Sequence, residues 1–156
     1  MDKIKRILAP TDLSDLSLAG MRYALDMARV IGAEVTVYYV VGSEELMHYS
    51  HKGLLDDLIG KYDEALRRFV EVHCSDLLPL VDIHTKVELG TADINIVEKA
   101  KKDGSDLIVI STHGRTGLSH VLVGSVTERV VRHAPCPVLS IHPDNRKPAP
   151  RAAAAA

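Results

Sequence analysis

Between residues 111 and 125 the chain reads STHGRTGLSHVLVGS, directly after the apolar run DLIVI. Gly114 and Gly124 could let backbone N–H groups approach an anion with no side chain between them. Gly124-Ser125 also stands at the start of a helical segment, whose unpaired donors and dipole favour negative charge. Val126 and Thr127 fall in that first turn, and Arg115 could pair with the same anion through a charge-assisted hydrogen bond or simply be solvated in its loop. The chemistry this spacing suggests is a phosphate cradle. Against it, Ser125 to Glu128 matches S-x-x-E, a capping box that would satisfy the helix's own donors and set a carboxylate beside the phosphates. On spacing alone the two readings stand level.

A second polar stretch, Pro10-Thr11-Asp12, follows the first strand-like run. Asp12 could accept a hydrogen bond from a ligand or help hold a metal through water, although capping of the next helix by Thr11, Asp12 or Ser14 is the simpler account. Other chemistries lack their parts. There is no GxxxxGK[ST], Gly114 to Gly117 is not GxGxxG, and neither HExxH nor GxSxG occurs. The eight histidines (48, 51, 73, 84, 113, 120, 133 and 142) are scattered and are expected at the surface; His113 alone lies within the cradle, where it could touch a phosphate.

These residues need elements to hold them. Lys5–Ala9, Glu34–Val41, Val81–Glu88, Asp106–Ile110 and Val138–Ile141 are strand-length apolar or β-branched runs. Between them, Leu16, Ala19, Met21, Tyr23, Ala24, Met27, Ala28 and Ile31 recur at helical spacing before Gly32, and further helices are expected over Leu54–His73, Ala92–Lys102 and Val126–His133. Strands apolar on consecutive residues, such as LIVI, need cover on both faces, which crossover helices supply. The expected fold is a single-domain α/β sandwich with a five-stranded, parallel, doubly wound sheet over residues 1–143. In such sheets ligands bind beyond the carboxyl ends of the strands, where strand order reverses, and both polar stretches follow strand ends. Gly42–Gly53 reads as a polar connection without clear period, and the tail after residue 143 has too little apolar branching to pack and is expected to be disordered.

Composition narrows the function. The 156 residues are 46% hydrophobic and suffice for one core. A net charge of −2, no Trp, one Phe and no basic run argue against nucleic acid as a main partner. The N-terminal MDKIKRILAP lacks an apolar signal region and no run is long enough to span a membrane, so a soluble, cytoplasmic protein is expected. Cys74 and Cys136 form no CxxC and read as reduced packing residues.

Over roughly residues 3 to 143 the sequence resembles the universal stress proteins, through KRILAPTDLS, DLIVISTHGRTGLSHVLVGSVTERVV and HAPCPVLSIHP. The resemblance implies a Rossmann-like fold, and its nucleotide-binding branch carries G-x2-G-x9-G-[ST] after the fourth strand. Here Ser111 stands at the first glycine, while Gly114, Gly124 and Ser125 match. The serine could crowd a ribose or hydrogen-bond to it, and weakened rather than abolished binding is expected. By the same resemblance Pro10, Thr11 and Asp12 would line the adenine and ribose side, with Val40 or Val41 against the base and Ile110 nearby. Gly114, Arg115, Gly124, Ser125, Val126 and Thr127 would surround the triphosphate of ATP with its Mg²⁺, and residues 115–123 would close over it as part loop, part helical turn. The family also implies a homodimer through the last strand, Pro137–Ile141, whose apolar edge would otherwise be open.

Three functions follow as alternatives. The first is an ATP-binding, dimeric stress-response protein that signals to an unidentified protein partner and, with no general base beyond Asp12, is at most a slow ATPase. The second is a dimeric interaction protein of the branch that binds no nucleotide, favoured by Ser111 and the S-x-x-E box. The third, adenylyl transfer, lacks an SGG-type phosphate loop and an acceptor domain.

Overall fold

Alternation along three strands divides the protein into layers. In β1 (Arg6–Pro10), β2 (Glu34–Val41) and β4 (Leu107–Ser111), side chains point alternately to opposite faces of the sheet. Ile7, Ala9, Val35, Val37, Tyr39, Val41, Leu107 and Val109 enter one core, while Leu8, Tyr38, Ile108 and Ile110 enter another. The first core is covered by α1 (Asp15–Ile31) and α3 (Leu55–Cys74), the second by α4 (Ala92–Asp103) and α5 (Ser125–His133). With β3 (Ile83–Leu89) and β5 (Val138–Ile141), the strands form one parallel sheet of order β3-β2-β1-β4-β5. The computed structural model describes residues 3–48, 55–113 and 123–143. The expected tail and residues 49–54 of the polar connection lie outside the described residues.

The expected five-stranded parallel α/β sheet is therefore present, with some local differences. Within the polar connection, Ser43–Met47 form a short helix, α2, because the Glu45 carboxylate accepts the Gly42 N–H at 3.1 Å and the Tyr39 hydroxyl at 3.2 Å. β3 begins at Ile83 rather than Val81, since the preceding residues turn through Leu77. In α1 the buried stripe is Ser17, Gly20, Met21, Ala24, Leu25 and Ala28, whereas Tyr23 is 47% exposed. Small residues occupy the first half of that stripe because α1 lies very close to β4: a Cβ on Gly20 would sit 2.7 Å from the Ser111 nitrogen. Cys74 is buried in the first core and Cys136 packs against the second; both are free thiols whose pKa burial pushes up, as packing residues require. Among the described residues no helix is long and apolar enough to cross a membrane.

The central pairing of β1 with β4 is clamped at its amino end by Asp106, whose Oδ2 accepts the Lys5 and Arg6 N–H groups at 2.8 and 2.9 Å. Those two backbone bonds favour the charged carboxylate and lower its pKa. A carboxylate lowered in the folded state adds stability above its unfolded pKa and loses it as pH falls through the folded value. Asp106→Asn is therefore expected to lower the urea midpoint at pH 7 and to make the remaining stability less dependent on pH below about pH 4. Equal acid sensitivity of the two proteins in urea unfolding across that range would remove the clamp.

Candidate functional site

The chain adds β2 and β3 on one side of β1, then returns to place β4 and β5 on the other. The loops leaving β1 and β4 therefore diverge, and a cleft opens above their carboxyl ends, as expected where strand order reverses. A cavity of about 250 Å³ occupies it, large enough for a small ligand rather than a water or two. Its apolar lining comes from Pro10, Val40, Ile110 and Val126, with Ala92 and Ile96 from the first turns of α4; its polar lining includes Thr11, Asp12, Ser17, Thr112, His113, Ser125 and Thr127.

The structure thus brings Pro10, Thr11, Asp12, Val40, Ile110, Ser111, Gly124, Ser125, Val126 and Thr127 to one cavity. Val41, named with Val40 from the sequence, is fully buried in the first core; a strand offers only every second residue to one face, and Val40 has the parity of the cleft. Gly114 and Arg115, and all but Val123 of the segment expected to close over the phosphates, lie outside the described residues. Tyr38, Ala92, Ile96, Ser17, Thr112 and a pocket role for Tyr39 were not picked out from sequence. The period of β2 and of α4 carries the signal for Tyr38 and Ile96, but packing alone explains those residues equally well until the sheet order is known.

On the β1 side, Asp12 Oδ1 accepts the Ser14 N–H at 3.0 Å and the Ser14 hydroxyl, while Ser14 Oγ accepts the Ser17 N–H as N-cap of α1. Asp12 therefore orients the capping residue instead of capping the helix itself. Leu13 between them has φ 64°, the left-handed region that a leucine seldom adopts. Beneath the cavity, the Tyr38 hydroxyl donates to Glu88 Oε2 at 2.8 Å; burial, then this bond, hold its pKa well above the phenol range, so it remains protonated.

At the other wall α5 starts differently from the S-x-x-E expectation. Gly124 is the N-cap, with no side chain of its own to bond across the helix end, and Ser125 is the first helical residue. Glu128 turns outward to Arg132 at 2.9 Å, with 62% of its side chain exposed. No capping box forms and no carboxylate of α5 lines the cavity, which leaves the positive end of this helix facing the cleft. Gly124 is required by close approach: its N–H donates to the Thr112 carbonyl at 2.6 Å, and a Cβ there would meet that oxygen at 2.9 Å. Thr112 Oγ1 in turn lies 2.9 Å from His113 Nδ1 and 3.1 Å from His142 Nδ1.

Ser111 departs most from expectation. Its parity in β4 follows Leu107 and Val109, so its side chain faces α1, where Oγ accepts the Gly20 N–H at 2.8 Å. The hydroxyl is thus engaged by a helix backbone instead of being presented to a sugar, and it does not crowd the cavity. Elsewhere, Glu34, Asp82 and His84 converge at the amino ends of β2 and β3, but Arg6 already neutralises Glu34 at 3.3 Å.

The family model described as the universal stress protein family matches residues 3–142. Universal stress protein MJ0531 of Methanocaldococcus jannaschii is 37% identical over 140 residues, covering 88% of this chain and 81% of its own. Among solved structures, universal stress protein UspA from Lactobacillus plantarum superposes with a TM-score of 0.75 at 28% identity, over 90% of this chain and 99% of that one. A universal stress protein solved in complex with cAMP shares the fold, with a TM-score of 0.67 at 21% identity, over 92% and 100% of the two chains.

The start of α5 can be checked through stability. With Ser125 at the first helical position and not at the cap, Ser125→Ala is expected to change unfolding free energy by less than about 0.5 kcal/mol, whereas loss of a true serine cap costs about 1 kcal/mol. Chemical denaturation of the two proteins separates these outcomes.

Proposed function

This chain belongs to the universal stress protein family, and from that premise we propose that it binds ATP with Mg²⁺ in the cleft and acts as a cytoplasmic, dimeric stress-response protein. The observation that carries the reading is the start of α5, where the N-cap is a glycine with no side chain of its own, opening on a cavity that Pro10, Val40, Ile96 and Ile110 also line. Pro10, Val40 and Ile110 offer surfaces for a flat base, and Asp12 an acceptor for an amine or a ribose hydroxyl. The backbone of Gly124 to Thr127, with the Ser125 hydroxyl, offers donors to phosphate oxygens. Gly114 and Arg115 complete the phosphate end in this reading.

The donor set suits a magnesium nucleotide. Mg²⁺ keeps most of its waters and is held largely by the phosphates, so a single carboxylate such as Asp12 is enough protein contribution. When bound, the ion would neutralise phosphate charge. What this chain supplies is orientation: α5 aligns the phosphates and the apolar wall excludes water from the base. Among the described residues Asp12 is the one carboxylate in the lining and His113, whose Nδ1 lies 2.9 Å from Thr112 Oγ1, the one imidazole; in this reading the site binds nucleotide and turns it over slowly at most. That another protein of this fold has been solved with cAMP, an adenine nucleotide, agrees with this choice of ligand. The two features that favoured a member without nucleotide have other roles, Ser111 under α1 and Glu128 with Arg132. The dimer is proposed through β5, an edge strand whose Val138, Leu139 and Ile141 are only partly covered.

Calorimetry tests the reading. Wild-type protein is expected to bind Mg·ATP in the micromolar range. Ser125→Asp, which sets a carboxylate at a helix start that tolerates one, is expected to weaken binding by about tenfold or more through like-charge repulsion. No heat and no affinity in the wild type, or equal affinity in the variant, would contradict it.

A further inference from the structure

We infer that Ser111 is a positioning residue, whose two polar groups hold the Asp12 loop and the first turn of α5 in register across the cleft; this rests on the reading of the cleft as an ATP site. Its side chain works on one wall. Ser111 Oγ accepts the Gly20 N–H at 2.8 Å and donates to the Ser17 carbonyl at 3.2 Å, joining the end of β4 to the second turn of α1. Only a glycine at position 20 permits this, since a Cβ there would lie 2.8 Å from that hydroxyl and 2.7 Å from the Ser111 nitrogen.

From α1 the network continues into the loop after β1. The Ser17 hydroxyl donates to the Ser14 carbonyl at 2.8 Å, so the proton between Ser17 Oγ and Thr11 Oγ1, 2.7 Å apart, belongs to Thr11. Thr11 Oγ1 then accepts the Leu13 N–H at 3.1 Å, which supports the left-handed Leu13, while Asp12 binds the backbone and side chain of Ser14. The hydroxyls of Thr11, Ser14, Ser17 and Ser111 thus have one consistent proton assignment.

The other wall depends on the Ser111 carbonyl. It accepts the Thr127 hydroxyl at 2.8 Å and so fixes the first turn of α5. Thr11, Ser17, Ser111 and Thr127 are 8%, 4%, 5% and 4% exposed, so these bonds lie out of water, where a fully satisfied network is directional and stiff. Among the described residues no buried side-chain polar atom lacks a partner. A ligand that touches both walls gains from a separation that is already set, whereas a ligand touching one wall does not. Alanine at 111 would still pack under α1 but would release the α1 wall from β4.

The test compares Ser111→Ala with the wild type in calorimetric titrations with Mg·ATP, adenosine and tripolyphosphate. Mg·ATP affinity is expected to fall about tenfold, the scale of a lost buried hydrogen-bonded group, while adenosine and tripolyphosphate change by less than about twofold. Unchanged Mg·ATP affinity, or equal loss for all three ligands, would overturn the inference. Should Ser111→Ala fail to fold, Ser17→Ala breaks the next link and is expected to give the same ATP-selective loss; unchanged Mg·ATP affinity there overturns it equally. Amide hydrogen exchange at Gly20 and Leu13 reads the tie without ligand, with at least about tenfold faster exchange expected in Ser111→Ala. If the wild type binds none of the ligands the ATP reading fails by itself, and unchanged exchange rates would then also reject the tie.

Discussion

Strand β1 is buried on both faces and paired on both edges, with β2 on one side and β4 on the other, so everything beyond its carboxyl end must turn aside. Because α1 has to pack down on β4 as well as β1, its buried stripe is built from Ser17 and Gly20 before larger residues resume at Met21 and Leu25. The loop from Asp12 to Ser14 is therefore short and constrained, and Leu13 takes up a conformation that such a residue otherwise avoids. The cleft is the space left between this loop and the start of α5. Its shape follows from the close approach of α1 to the sheet.

Charge placement follows the same geometry. The acidic group of the β1 loop, Asp12, and the start of α5 both line one cavity, and Glu128 points away from it to Arg132. A carboxylate facing the helix start would cancel the partial positive charge there; its absence from the α5 lining keeps that end available for an anion. The apolar wall of Pro10, Val40, Ile110 and Ile96 gives a second, chemically distinct half. A ligand with an uncharged flat end and an anionic end fits this division.

Much of this was legible in the sequence because the strands are strongly patterned. Glu34–Val41 and Val138–Ile141 are delimited in the sequence as they stand in the fold, and Pro10-Thr11-Asp12 and Ser111-Thr112-His113, expected at strand ends, lie there. The orientation of Ser111 was also encoded, since it shares parity with Leu107 and Val109, but family resemblance to a glycine drew attention to the sugar instead of to the helix beneath. Gly20 within a helix was a signal of close approach that only the crossing of α1 over β4 explains. The S-x-x-E match misled for a geometric reason: the tight bond from Gly124 to the Thr112 carbonyl starts the helix one residue earlier than a serine cap would. Helical spacing groups Tyr23 with Met21, Ala24 and Ala28, but Tyr23 is exposed, while the smaller Ser17 and Gly20 occupy the side facing the sheet.

The most direct test of the central claim is a titration of isotopically labelled protein with Mg·ATP followed by backbone amide resonances. The account predicts the largest shifts at Ser125, Val126 and Thr127, with a second group at Asp12, Val40 and Ile110, and none at Glu34, Asp82 or His84 at the far end of the sheet. Shifts confined to that far end, or none at saturating nucleotide, would contradict it.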